Sequence, residues 1–162
     1  KFLELKPQIE NLQREVYEPE RQTDIEKFEV TVTSDNRVAL ALLCRGKLAG
    51  IAFSAPLINF PYERGVRQAP FYRSPAANYI LDTTVHPRYQ GKGLGRLMKY
   101  ALSYLALSQG IERVHGRNRD KLAKNMLNIN LSLGCFELQY IREDYTDEKQ
   151  YRDVFYYTTV NK

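Results

Sequence analysis

Apolar positions recur along the chain in two rhythms, one helical and one alternating, and the places where one gives way to the other mark out the elements. Ile9, Leu12 and Val16 keep helical spacing after Pro7, and the run stops before Pro19 because a proline disfavours helical angles in the residue ahead of it. Thr23-Asp24-Ile25-Glu26 has the form of a capping box, with Ile25, Phe28 and Val32 on one face, so a second helix is predicted. Val38 to Cys44 and Leu48 to Ser54 are short apolar runs around Arg45-Gly46-Lys47, which reads as two antiparallel strands joined by a hairpin turn. From Asn59 to Asn78 the rhythm dissolves around Pro61, Gly65, Pro70 and Pro75. A long loop is expected there, with Arg64, Arg67 and Arg73 set among Phe60, Tyr62, Phe71 and Tyr72.

The second half repeats the alternation. Tyr79 to Val85 reads as a strand ended by Pro87, and Leu94, Leu97, Met98, Ala101 and Leu105 form a helix face closed by Gly110. Ile111 to His115 is a further strand. Leu122, Met126, Ile129 and Leu133 give a helix closed by Gly134, and Phe136 to Ile141 and Val154 to Val160 are strands around the charged turn Asp144 to Lys149. The order α-α-β-β-β-α-β-α-β-β predicts an α/β fold, a mixed sheet with helices on both faces. With 162 residues, no internal repeat and no linker, the chain is read as one domain spanning residues 1–162.

Composition narrows the function classes. A hydrophobic fraction of 43% with 27% charged residues is that of a soluble protein, and no apolar run approaches the roughly 18 residues of a membrane span. The chain starts at Lys1 without a signal-peptide pattern, so a trimmed or excised domain is expected. Cys44 and Cys135 sit in strand-like runs and are read as inert buried thiols in a reducing cytoplasm, while His86 and His115 are too far apart in sequence to suggest a metal site. The net charge of +5 suits a nucleic acid, an anionic membrane surface or a polyanionic small ligand.

The loop Gln90-Gly91-Lys92-Gly93-Leu94-Gly95 chooses among these. It lies between a strand and an amphipathic helix, where backbone N–H groups and the helix dipole converge into an anion site. A P-loop needs Ser or Thr after the lysine, but Lys92 precedes Gly93; a dinucleotide fingerprint starting at Gly91 needs glycine where Arg96 stands. The remaining pattern, Val85-x-Pro87-x-x-Gln90-x-x-Gly93-x-Gly95, resembles the signature of the GNAT superfamily of acyl-CoA N-acyltransferases. A second block, Gly116-Arg117-Asn118 with Asn125 to Phe136, carries the likeness further.

That resemblance implies a GNAT-like fold with a mostly antiparallel sheet, acetyl-CoA as co-substrate, and direct acetyl transfer to an amine in a ternary complex. By the same resemblance Thr84, Val85, Gln90, Gly91, Lys92, Gly93, Leu94, Gly95 and Arg96 surround the pyrophosphate and upper arm, Asn118 and Asn125 hydrogen-bond the pantetheine or phosphates, and the backbone N–H at or beside Val85 stabilises the oxyanion. Asn130 stands where many family members carry the tyrosine that protonates the thiolate. Among the residues themselves, Asp82 is the one carboxylate on the strand beside the expected acetyl group, a candidate general base, with a structural hydrogen-bonding role left open. Tyr145 and Tyr151 are candidate acids. A non-catalytic CoA-binding domain and a nucleic-acid module on the arginine and aromatic loop are the rival functions, the second less favoured. A homodimer is compatible with the sequence.

Overall fold

The computed structural model describes residues 1–119, 124–133, 135–141 and 154–160. Its helices are α1 (Phe2–Val16), α2 (Ile25–Thr33), a short α3 (Arg64–Gln68), α4 (Leu94–Ser108) and α5 (Lys124–Ser132). The strands are β1 (Val38–Cys44), β2 (Lys47–Pro56), β3 (Ala77–Val85), β4 (Arg113–Arg119), β5 (Cys135–Ile141) and β6 (Val154–Val160), in one sheet of order β1-β2-β3-β4-β6-β5. Neighbours are antiparallel except β3 and β4, which run parallel.

Successive residues of a strand face opposite sides of the sheet, and β2 shows both sides covered. Ile51 and Phe53 pack with Ile9, Leu12 and Phe28 of α1 and α2, whereas Ala52 joins Met98, Leu102 and Ala106 of α4. A strand buried on both faces reads as a continuous apolar run, as Leu48 to Phe53 does. On α4 Met98 is buried and Leu94 and Leu105 pack against the core as expected, but Lys99, Leu102 and Ala106 are buried too and Leu97 is 56% exposed. The expected loop between Asn59 and Asn78 contains α3, and the first helix begins at Phe2 with Pro7 inside it.

The capping box does not form. Asp24 is the N-cap of α2 without a side-chain cap bond, and the Thr23 hydroxyl turns instead to Asp82.

Two irregularities in β3 position the site. Ile80 and Val85 both pack on the α4 side although they are five residues apart, an odd spacing that an unbroken strand forbids. The register shift opposite Phe53 and Ser54 supplies the extra residue, and beyond it Asp82 faces α1. Secondly, β3 pairs with β4 only from Ala77 to Tyr79, opposite Arg113 to His115. Past that point β3 stays with β2 and β4 stays with β6, so the sheet opens into a cleft.

Candidate active site

The mouth of the cleft is formed by the glycine loop. Gly91 and Gly93 have φ of +72° and +77°, a region that glycine enters without a Cβ penalty, and Gly93 is the N-cap of α4. Leu97 N–H already bonds Gly93 O at 3.0 Å, which leaves the Leu94, Gly95 and Arg96 N–H groups of the first turn without an intrahelical acceptor. A Cβ built on Gly91 or Gly93 meets nothing within 4 Å, so the space over the loop is open to a ligand. Gln90 lends its amide to the protein: Nε2 donates to Val85 O at 2.9 Å and ties the loop to the strand end. Lys92 donates to Arg88 O at 3.5 Å and lies over the Tyr89 ring, 5.8 Å from its centroid, and Arg96 donates to Ser132 Oγ at 2.9 Å.

A groove runs from this loop along Thr84, Val85, Leu94, Arg96, Asn125, Met126 and Ile129. At Tyr17, Thr83 and Met126 it meets a second cavity, lined also by Asp82, Lys99, Arg117, Asn118 and Tyr157. Thr83 Oγ1, buried at this junction, has no hydrogen-bond partner among the described residues. An open glycine cradle, orphan helix N–H groups and an orphan hydroxyl further along fit a long ligand with an anionic head and a polar arm.

Asp82 is 7% exposed and heavily bonded. Gln13 Nε2 donates to Oδ2 at 2.8 Å, Thr23 Oγ1 to the same oxygen at 3.4 Å, and Thr84 Oγ1 to Oδ1 at 2.5 Å. Since the Thr84 hydroxyl has one proton and gives it to Asp82, Tyr17 OH donates to Thr84 across their 2.7 Å contact. Burial pushes the Asp82 carboxyl above its ordinary value, opposed by the bonds from Thr84, Gln13 and Thr23 and by the charge of Lys99.

Lys99 comes from the other side of the sheet. It is 3% exposed, its Nζ donates to Tyr157 OH at 2.7 Å, and burial lowers its pKa to about 7 against the opposing charge of Asp82. Tyr157 lies over Gly116, where any Cβ would collide with its hydroxyl. Arg117 is held by Glu63 in a bidentate pair through Nη1 and Nη2.

Most residues named from the sequence therefore share one continuous surface. Asn118 is buried and its Oδ1 accepts from Asn130 Nδ2 at 2.8 Å, while Asn125 is exposed in the groove. Tyr145 and Tyr151 lie outside the described residues. Sequence reading missed Lys99, Tyr157, Gln13, Tyr17 and the Glu63 pair. For Lys99 a signal existed, because it stands three residues before Leu102 and seven before Ala106, on the buried stripe of α4. For the rest none existed, since their partners are distant in sequence.

Among the described residues no group of three metal-ligating side chains occurs, and no helix is long and apolar enough to cross a membrane. A family model described as the acetyltransferase (GNAT) family matches residues 6–126. No curated protein sequence matches the chain. Among solved structures, the ribosomal-protein-S18-alanine N-acetyltransferase from Escherichia coli aligns with TM-score 0.74 at 16% identity, over 96% of this chain and 87% of that one. An aminoglycoside 6'-N-acetyltransferase complexed with coenzyme A gives 0.71 at 14% identity, over 98% of this chain and 91% of that one. A GNAT-like decarboxylase, GphF, in complex with isobutyryl-CoA gives 0.75 at 16% identity, over 98% and 96%.

Proposed function

We propose that this chain, which belongs to the acetyltransferase (GNAT) family, is a single-domain N-acetyltransferase that moves an acetyl group from acetyl-CoA directly to a primary amine in a ternary complex. The observation that carries this reading is the continuity of the glycine-loop groove with the cavity that holds Asp82. The pyrophosphate sits on the N–H groups of residues 91–96, and Lys92 and Arg96 add charge from the rim. Three or four backbone bonds to a phosphate, at roughly 1.5 kcal/mol each, outweigh an exposed ion pair of about 1 kcal/mol or less. The arm follows Thr84, Val85, Asn118 and Asn125 into the cleft, which delivers the thioester to the junction at Thr83.

In the cavity the acceptor amine must lose a proton before it attacks, since an alkyl amine is almost wholly protonated at neutral pH. Asp82 takes that proton. Burial raises the proton affinity of the Asp82 carboxyl and so makes it a stronger acceptor than an exposed carboxylate. A backbone N–H at or beside Val85 receives the developing oxyanion. The cavity encloses about 280 Å³, the low end for small-molecule sites, which suits a small amine or the end of a flexible chain. Cys44, a free thiol on β1, suits a cytoplasmic setting.

A non-catalytic acyl-CoA-binding protein is the second reading, favoured by the amide of Asn130 where the family's proton-donating tyrosine is expected. A single experiment separates the two. Acetyl-CoA and CoA raise the melting temperature where NAD and ATP do not, and with a mass-spectrometric panel of amines the thioester is consumed in proportion to acetylated product. No thermal response at ~100-fold above the micromolar range overturns both readings. A response without amine-dependent thioester loss leaves only the second.

A further inference from the structure

A primary amine already stands in the cavity where the transfer proposed above takes place. Lys99 is on the buried stripe of α4 and lines the cavity that also holds Asp82. It is four residues on from Gly95, so the two share one helix face, and Lys99 sits about 6 Å further along the axis from the phosphate cradle. On that face a Cβ built on Gly95 would come 3.7 Å from Met126 Cε, and Met126 lines both the groove and the cavity. A ligand whose pyrophosphate rests on residues 91–96 therefore brings its acyl end into the cavity along the side of α4 that carries Lys99.

We infer that Lys99 is a self-acetylation site: with no acceptor present, its amine takes the acetyl group of bound acetyl-CoA, and the modified enzyme is blocked. This rests on the functional reading above and adds to it an internal acceptor. Lys99 Nζ makes one hydrogen bond among the described residues, donated to Tyr157 OH at 2.7 Å, and lies 5.4 Å from the centroid of that ring. An amine that donates through one N–H keeps its lone pair for attack once it is neutral, whatever else the phenol is bonded to. The groups that share the cavity with Lys99 are Asp82 from β3, Tyr157 from β6, Arg117 and Arg119 from β4, and Tyr17 and Arg21 from the segment around the end of α1. Burial holds its pKa at about 7 against the opposing charge of Asp82, so a large share is neutral at a pH where exposed lysine is almost wholly protonated.

The atoms balance without a further reactant. Neutral Nζ forms a bond to the carbonyl carbon, and the carbon–sulfur bond breaks with its electron pair leaving on sulfur. The proton shed by nitrogen ends on the thiolate, so CoA departs as a thiol and Lys99 becomes an amide. That amide carries no charge and its acetyl group fills part of a cavity of about 280 Å³, where the acceptor amine would sit. An acceptor already in place competes for the same acetyl group and protects Lys99.

The test incubates the full wild-type chain with acetyl-CoA and no amine, and follows acetylation lysine by lysine through peptide mass spectrometry. Lys99 is expected to react at least roughly tenfold faster than the exposed Lys47. Its rate rises with pH to a plateau above about 7, while that of Lys47 climbs on through the alkaline range. Excess CoA, which occupies the same cradle, slows Lys99 and leaves Lys47 unaffected. Activity assayed after the incubation falls in step with the acetylated fraction of Lys99, and in Lys99→Met, which keeps length while removing a buried charge, incubation does not change the variant's own rate. Lys99 labelled no faster than Lys47, or unmodified while calorimetry shows acetyl-CoA bound, overturns the assignment even where transfer to free amines is intact. Acetyl-CoA that does not bind overturns the functional reading on which it rests.

Discussion

Asp82 and Lys99 approach one cavity from opposite faces of the sheet, which neither could do through an unbroken β3–β4 ladder. Their environments act in opposite senses on the same principle: burial raises the carboxyl and lowers the amine, each toward its neutral form. For Asp82→Asn the expected outcome is a kcat at least roughly tenfold lower near neutral pH, with acetyl-CoA affinity within about twofold because the phosphate cradle is remote from it. The loss shrinks as pH rises and solvent deprotonates the amine. Steady-state kinetics over a pH series checks this, and a mutant profile parallel to the wild type would make Asp82 a structural residue held by Gln13, Thr23 and Thr84. Asp82 was legible as a candidate from its place on an apolar strand. Its three side-chain partners were not, because they lie 69, 59 and 2 residues away and only the register shift in β3 brings the two distant ones to it.

The glycine loop and α4 behave as one element, a helix whose first turn is opened by two positive-φ glycines. The backbone cradle predicts that Gly93→Glu lowers acyl-CoA affinity at least roughly tenfold, through the lost contact and carboxylate repulsion. Because Gly93 has φ +77°, any L-residue there also costs about 1 kcal/mol of folding stability. Gly93→Ala measures that strain separately. Lys92→Ala, which removes an exposed ammonium with a 3.5 Å bond to Arg88 O and a loose contact with the Tyr89 ring, weakens binding only a few-fold. Calorimetry at one salt concentration decides the matter, and equal losses for Gly93→Glu and Lys92→Ala would mean that side-chain charge holds the ligand. The loop's place between strand and helix was readable from spacing alone. The inward face of α4 extends beyond the apolar pattern to Lys99, Leu102 and Ala106, because only the packed sheet shows which stripe is covered.

At the scale of the molecule, two buried cations-in-waiting tie stability to pH. His115 stacks on Tyr156 with ring centroids 5.3 Å apart, touches Phe71, shares a 3.0 Å bond with Thr158, and has its pKa lowered by burial to about 4. Between about 4 and its ordinary value near 6.5, the unfolded chain binds a proton that the native state refuses. Stability therefore falls as pH drops through that window, by about 3 kcal/mol at its fullest extent. His115→Phe keeps the ring and removes the titration, so its melting temperature declines less steeply from pH 6.5 to 4 than that of the wild type. Parallel declines in a thermal-denaturation series would show that His115 is not the acid-sensitive group. Lys99 acts in the same sense in a higher window: the native state loses its proton near 7 and the unfolded chain near 10.5, so stability rises with pH between them.

By itself the sequence determined the order of the strands and of the four longer helices, the two antiparallel strands that open the sheet, the phosphate-type loop at the head of α4 and the family likeness, because these depend on periodicity, turn residues and short spacings. Tertiary structure alone decided the rest: where β3 parts from β4, which side of the sheet Asp82 takes, and that a lysine and a tyrosine 58 residues apart share a hydrogen bond in its gap. The capping residue Thr23 shows the limit most plainly, since its local pattern predicts a bond to its own helix and its hydroxyl goes to Asp82. A buried carboxyl must be satisfied wherever its partners lie in the chain, and that requirement outweighs a helix cap that water satisfies equally well.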